Sequence, residues 1–312
     1  MDLVAGVDFG GTSAKIGLVD RAGGVHARDR VAIDARAGHE AILGPVIDGL
    51  RRLAAARPRP DRVVGVGVGT PGFIDRDSGT IAGGCENIPS LLGRSPGGIL
   101  GAALGVPAWA DNDATCAAAA ELAYGAGRGL QSFIVVTVGT GIGGGLVLGG
   151  KVWRGARGFA GEIGHISLDP GGPWCPCGGR GCLEQYASGP AIFRAWQDMA
   201  GRRGVSTPAR SPVDVAELAR AADPLALAAF AGAGRALAQA LGGVINLLNI
   251  EACIIGGGVA GAGEILLGPL RRSLPDHAFA LAAAGVPVVA AGLGNEAGLL
   301  GAAALAWERL GS

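Results

Sequence analysis

The sequence predicts an α/β fold in which helices cover mixed sheets. Three observations point to it. Short apolar runs alternate with longer segments of helical spacing. A unit of strand, glycine turn and strand opens the chain and returns near residue 132, which hints at two related halves. The chain has 312 residues, 49% of them hydrophobic, enough for two domains or one large one.

In order, residues 3–7 read as a buried strand and 14–19 as a second, with Phe9-Gly10-Gly11-Thr12-Ser13 turning between them. Residues 25–33 extend the meander. Residues 40–56 carry Ile42, Leu43, Val46, Ile47, Leu50 and Leu53 at helical spacing. A strand at 63–68 ends in Thr70-Pro71-Gly72. A short helix at 97–104 and a strand at 106–110 lead to a helix at 114–124. Residues 132–138 and 145–148 pair around the glycine-rich 139–145. The span 188–248 is mostly helical, with an Arg/Pro-rich loop at 201–212. A strand at 252–255 runs into Gly256-Gly257-Gly258-Val259. The last strand is 286–290, and a helix over 296–307 closes the chain.

Aromatic residues make up only 4%, so the core rests on Ala, Val, Leu and Ile. The 59 glycines cluster at turns without a repeat, which excludes collagen-like and low-complexity readings. Basic and acidic side chains number 26 each, so no basic patch announces a nucleic-acid surface. The N-terminus lacks a basic region followed by a long apolar run, and Gly, Pro and charges interrupt every candidate membrane span. Cys85, Cys116 and Cys253 are scattered in apolar surroundings, which suits a reduced, cytoplasmic setting.

The most informative stretch is 161–184. Within it His165, Cys175, Cys177 and Cys182 form the pattern H-x9-C-x-C-x4-C, flanked by Glu162 and Glu184. One imidazole and three thiols suit a closed tetrahedral zinc site. A disulfide and inert buried thiols are the alternatives. A C-x-C pair bridges itself poorly, and iron suits the mixed ligand set less well.

Three glycine turns, each beside a strand, offer bare backbone to a phosphate or a flat ring. The first holds Asp8, Gly10, Gly11, Thr12, Ser13 and Lys15, in which Asp8 can orient hydrated Mg²⁺ and Lys15 brings a positive charge. The second holds Thr140 and Gly141, the third Gly257 and Gly258. An ordinary hairpin is the alternative reading of each. None matches a P-loop, and no suitable acid supports a dinucleotide fingerprint. Asp111-Asn112-Asp113 can cap a helix, but one cap needs only one such residue. A carboxylate at a strand end is well placed as a general base.

Taken together, the 8–15 turn, Asn112-Asp113, the 139–145 turn, Glu162-Ile163-Gly164-His165, the cysteine cluster and Glu184 resemble the ROK family of sugar kinases and repressors. The likeness runs from about residue 3 to residue 308, and in pattern it is nearest the family's bacterial glucokinases. It implies the actin/hexokinase-like (ribonuclease H-like) ATPase fold, two domains with a cleft between them. A smaller domain would hold residues 1–113 plus 302–312, and a larger one 114–301 with the zinc site. The resemblance makes Asp113 the catalytic base. It makes Gly72, Asn112, Asp113, Glu162, His165 and Glu184 sugar-facing, and Asp8, Gly10, Gly11, Thr12, Lys15, Thr140, Gly141, Gly257 and Gly258 the side of ATP and Mg²⁺. Structural Zn²⁺ on His165, Cys175, Cys177 and Cys182 would fix the sugar site, with the second ring nitrogen of His165 facing the sugar.

The expectation is therefore an ATP-dependent glucokinase, soluble, cytoplasmic and homodimeric. A kinase for N-acetylmannosamine, N-acetylglucosamine or fructose is the alternative, and polyphosphate stays open as donor. Residues 85–88 fill a loop that often helps to discriminate sugars, and Thr115-Cys116 depart from the family's common pattern. A repressor would need a DNA-binding domain ahead of the first strand, and a non-catalytic sensor would have no use for Asp113.

Overall fold

The computed structural model describes residues 1–57, 61–75, 77–205 and 209–311. The chain begins with three antiparallel strands, β1 (Asp2–Phe9), β2 (Ser13–Val19) and β3 (Val25–Ala32). Helix α1 (His39–Ala55) leads to β4 (Arg62–Thr70). A small hairpin of β5 (Phe73–Ile74) and β6 (Ile81–Gly83) precedes α2 (Pro96–Leu104), β7 (Ala108–Asn112) and α3 (Asp113–Tyr124). The first large sheet has the order β3-β2-β1-β4-β7, with β1, β4 and β7 parallel.

The second half repeats this wiring. Strands β8 (Phe133–Val138), β9 (Ile142–Leu148) and β10 (Lys151–Trp153) form the antiparallel meander. Helices α4 (Glu184–Ala187), α5 (Gly189–Arg202), α6 (Pro212–Arg220) and α7 (Pro224–Leu248) follow. Then come β11 (Ala252–Gly256), α8 (Glu264–Ser273), α9 (Ala280–Ala283), β12 (Val288–Ala290) and the closing α10 (Ala297–Leu310). The order β10-β9-β8-β11-β12 places β8, β11 and β12 parallel, as β1, β4 and β7 are. The two halves hinted at by the sequence are thus alike in topology.

Burial explains why these segments adopt these forms. In α1 the spaced positions Ile42, Leu43, Val46 and Leu50 are at most 1% exposed and pack on the first sheet. Each such side chain contributes about 1.5–3 kcal/mol when removed from water. The second core joins Ile134 and Val136 of β8 to Trp196 of α5 and to Phe230, Leu237 and Ile245 of α7. Helices α3 and α10 connect the halves. Gly67 of β4 lets α10 approach, since a Cβ there would collide with the Ala302 carbonyl. In α10 itself, a Cβ on Gly301 would strike the Cys116 carbonyl of α3. Buried Glu121 of α3 accepts from the amides of Gly292 and Leu293 at 3.1 Å each, tying down the segment that enters α10.

The structure differs from the sequence reading in several places. The strand expected at 106–110 lies at Ala108–Asn112, because Asp111 and Asn112 keep pairing with Gly69 and Thr70. The glycine-rich stretch 139–145 is a turn only as far as Gly141. Gly143, Gly144 and Gly145 belong to β9, where a Cβ on Gly143 or Gly145 would strike α3. They are packing residues. The β5–β6 hairpin and β10 are two or three residues long and leave no readable periodicity. Part of the expected 201–212 loop, residues 206–208, lies outside the described residues. Helix α7 corrects the reading that no segment is apolar enough for a membrane: its length and composition suffice, yet 67% of its most apolar window is buried within the protein. A core helix enclosed by others is apolar for that reason.

Candidate active site

Parallel strands β1, β4 and β7 bring Asp8, Gly69 and Asp111 into register at one end of the first sheet. Burial raises the pKa of Asp8, and Lys15 opposes the shift. The Lys15 ammonium lies 3.5 Å from Asp8 and donates to the Asn295 carbonyl at 2.6 Å. Its charge is therefore held between Asp8 and the segment before α10. The turn between β1 and β2 closes with the Gly10 amide donating to the Ser13 carbonyl at 3.0 Å. Gly10, Gly11 and Thr12 are exposed, and nothing lies within 4 Å of where a Cβ on Gly11 would be.

At the start of α3, Asn112 is the N-cap. Its Oδ1 accepts from the amides of Ala114 at 2.9 Å and Thr115 at 3.2 Å, and its Nδ2 donates to the Gly72 carbonyl at 3.2 Å. Gly72 has a φ of +102°, a conformation that suits glycine. Asn112 thus fixes both the helix start and the 70–72 loop, and one Nδ2 hydrogen remains for a ligand. Asp113 follows as the first residue of α3. Its carboxyl is open to solvent on one side and walled by protein on the others. That enclosure pushes it up to about 6; the Ala114 amide works against the shift, while the charges of Asp8 and Glu162 add to it.

Sequence reasoning missed what supports this corner. Arg154, after β10, pairs with Asp111 and lies 3.3 Å from Glu308 of α10. The side chains of Arg154 and Asp111 are each 10% exposed. The pair spans the two halves two residues from Asp113. Its only trace in the sequence is the surplus of polar groups in Asp111-Asn112-Asp113.

Opposite stands the second half. His165 ends a short 3-10 turn, Ile163–His165. Its Nδ1 lies 3.7 Å from Cys175 Sγ, and its Nε2 lies 4.0 Å from Glu162. The Cys177 and Cys182 sulfurs are 3.6 Å apart, and all four potential ligand atoms lie within 4.8 Å of one another. A tetrahedral ion with Zn–S bonds of about 2.3 Å holds its sulfurs roughly 3.8 Å apart, so the four residues fit zinc. All six cysteines are free, which sets aside the disulfide reading. Burial and the neighbouring thiols push Cys182 up to about 12, so thiolates packed this closely call for a cation.

Glu162 is raised chiefly by burial, with Glu184 adding to the shift and His165 opposing it. Glu184 opens α4, and its Oε2 accepts from the Ile142 amide at 2.8 Å. Thr140 is exposed, and Gly139 and Gly258 have open space where a Cβ would be. A Cβ on Gly257 would collide with Val138, so the Gly257-Gly258 turn abuts the root of the 139–141 turn.

The site therefore gathers the Asp113 carboxyl with Asp8 and Glu162 near enough to raise it. Asn112 and Gly72 flank it, His165 and Glu184 stand by Glu162, and three open glycine turns lie at the strand ends of both sheets.

This duplicated wiring is that of the actin/hexokinase-like ATPase fold. The chain belongs to the ROK family, whose model matches residues 4–309. A glucokinase of Thermotoga maritima is 34% identical, over 98% of this chain and 98% of its own length. A ROK hexokinase structure from Thermus thermophilus superposes with a TM-score of 0.82 at 36% identity, covering 99% of both chains. A ROK family glucokinase from Streptomyces griseus, solved in complex with glucose and AMPPNP, has a TM-score of 0.81 at 34% identity, covering 98% of this chain and 99% of that one. Relatives also include a xylose repressor of Bacillus subtilis, 28% identical over 82% of this chain and 64% of its own.

Proposed function

We propose that this protein is a cytoplasmic ATP-dependent hexose kinase, a glucokinase that phosphorylates the 6-hydroxyl of glucose with Asp113 as general base. The observation that carries the reading is the placement of Asp113. A solvent-accessible carboxyl raised to about 6 by the protein around it is ionised near neutrality yet basic enough to accept a hydroxyl proton. The similarity to glucokinases, one of them bound to glucose and an ATP analogue, supports the substrates.

In this reading Glu162 and Glu184 accept from hydroxyls of the sugar, and Asn112 and the Gly72 loop border it. His165 donates toward the sugar from Nε2 while Nδ1 faces the cysteines. Asp113 takes the proton of the attacking hydroxyl, whose oxygen bonds to the γ-phosphorus as the bond to the β,γ-bridging oxygen breaks and ADP leaves. Gly10, Gly11, Thr12, Thr140, Gly141, Gly257 and Gly258 present backbone and hydroxyl donors to the nucleotide. Bound Mg²⁺ would offset phosphate charge, with Asp8 orienting its water and Lys15 balancing Asp8. Zinc on His165, Cys175, Cys177 and Cys182 would be structural, holding His165 and Glu184 in place. The cleft would lie between residues 1–113 plus 302–312 and residues 114–301, and the working unit would be a homodimer.

The test is ATP- and Mg²⁺-dependent ADP release across glucose, fructose, mannose, N-acetylmannosamine and N-acetylglucosamine. Turnover with glucose far above the others is expected. Preference for an N-acetylated sugar would replace the substrate, and no turnover with any sugar in zinc-replete protein would remove the kinase reading.

A further inference from the structure

Glu184 stands two residues beyond Cys182, near enough to Glu162 to raise its pKa, and its carboxylate lies against the 141–142 turn. Its Oε2 accepts from the Ile142 amide at 2.8 Å, and a Cβ built on Gly141 would lie 2.5 Å from the same oxygen. Five residues later, at the start of α5, the Gly189 amide donates to the Gly139 carbonyl at 2.8 Å. The turn closes on itself through the Gly139 amide and the Gly141 carbonyl at 2.9 Å. The segment 139–142 is thus held at both ends by the short stretch that carries Glu184.

We propose that Glu184 is also a positioning residue for the phosphoryl donor, and that this one carboxylate links the sugar side of the site to the nucleotide turn. The inference rests on the kinase reading and adds a connection to it. A hydrogen bond from a backbone N–H to an ionised carboxylate is among the stronger kinds, so moving the carboxylate releases Ile142 and with it the turn. The linkage must be reciprocal: what displaces Glu184 from the turn side must weaken what it holds on the other. Cys182 lies close enough in the chain for the cysteine cluster to set the placement of both. Gln185 strengthens that connection, since its amide donates to the Cys182 carbonyl at 2.9 Å and its Nε2 donates to Cys175 Sγ at 3.7 Å.

The test measures each ligand alone by calorimetry. AMPPNP is titrated without sugar, and the sugar with the fastest turnover is titrated without nucleotide. Glu184→Ala should weaken sugar-free AMPPNP binding by about 5-fold or more. Glu184→Gln keeps a carbonyl oxygen for the Ile142 amide and should restore AMPPNP affinity but not sugar affinity. Gly141→Ala introduces a methyl whose neighbouring atoms all belong to the Glu184 carboxyl, the far end of a flexible side chain, so the fold survives. It should weaken nucleotide-free sugar binding by a similar factor. Unchanged AMPPNP affinity in Glu184→Ala, unchanged sugar affinity in Gly141→Ala, or a Glu184→Gln protein as weak toward AMPPNP as Glu184→Ala would overturn the linkage while wild-type binding and turnover keep the kinase reading. Wild-type protein that binds neither ligand would overturn both.

Discussion

The two halves share one strand order, yet equivalent positions carry different chemistry. In the first sheet Asp8 of β1 lies opposite Lys15 of β2 and beside Gly69 of β4. In the second, Thr137 of β8 lies opposite Gly143 of β9 and beside Gly256 of β11. A charged pair in one half corresponds to an uncharged hydroxyl and a bare glycine in the other. Lys15 stands where the surface is open enough to hold a charge. Gly143 stands where Ala114 of α3 would strike any side chain. The turns differ likewise: the first is tied to the end of the neighbouring strand, with the Ile33 amide donating to the Thr12 carbonyl at 3.1 Å, whereas the second is held by Glu184 and Gly189 from more than forty residues away. The shared scaffold supplies strand ends and amides, and the helix that packs across it decides which end can carry charge.

The comparison breaks most sharply at Asp113, where α3 starts between the two sheets. Asp113→Asn should cut turnover by roughly 10²–10⁴-fold, the usual worth of a positioned base, with sugar binding little changed by calorimetry. Near-normal turnover would remove Asp113 as base. Arg154→Ala tests the strut across the halves. It leaves Asp111 without its guanidinium in a nearly dry place and should cost about 3–5 kcal/mol of stability in denaturant titration. A loss below about 1 kcal/mol would mean that water already reaches the pair.

Cys177→Ser acts on the second half alone. Zinc affinity should fall by at least about 10–100-fold by metal analysis, and the sugar KM should rise as His165 and Glu184 lose their placement. Loss of zinc with an unchanged sugar KM would separate the metal from the sugar site. The smallest effect is one of pH. Asp113 must be ionised to accept a proton, so kcat/KM should hold above pH about 6 and drop about tenfold per unit below it. A midpoint near 4 would mean that the enclosure of Asp113 does not persist in the working enzyme.

Much of this was legible in the sequence where one residue type has few uses. The spacing of His165, Cys175, Cys177 and Cys182 foretold a cluster that the structure closes to within 4.8 Å. The apolar period of α1 and the continuous apolar run of β1 foretold their burial. What was not legible depended on partners distant in the chain. Arg154 is one of many arginines until Asp111 and Glu308 are brought to it. Gly143 and Gly145 read as turn residues because nothing local says that α3 will lie against them. Glu184 could be marked as an acid near a metal, but its bond to Ile142 spans 42 positions. The short β5, β6 and β10 are too brief for any period to register.

The closing helix carries one more consequence. Helix α10 lies on β1 and β4, fitted over Gly67, so the first sheet is covered by an element made some three hundred residues after its first strand. During synthesis β1 and β4 must wait, with that face bare, until α10 has left the ribosome. The second half has its own helices close at hand and can consolidate sooner. A nascent chain stalled before residue 297 should therefore expose β1 and β4 to chaperones and proteases, although both emerge well before the second half.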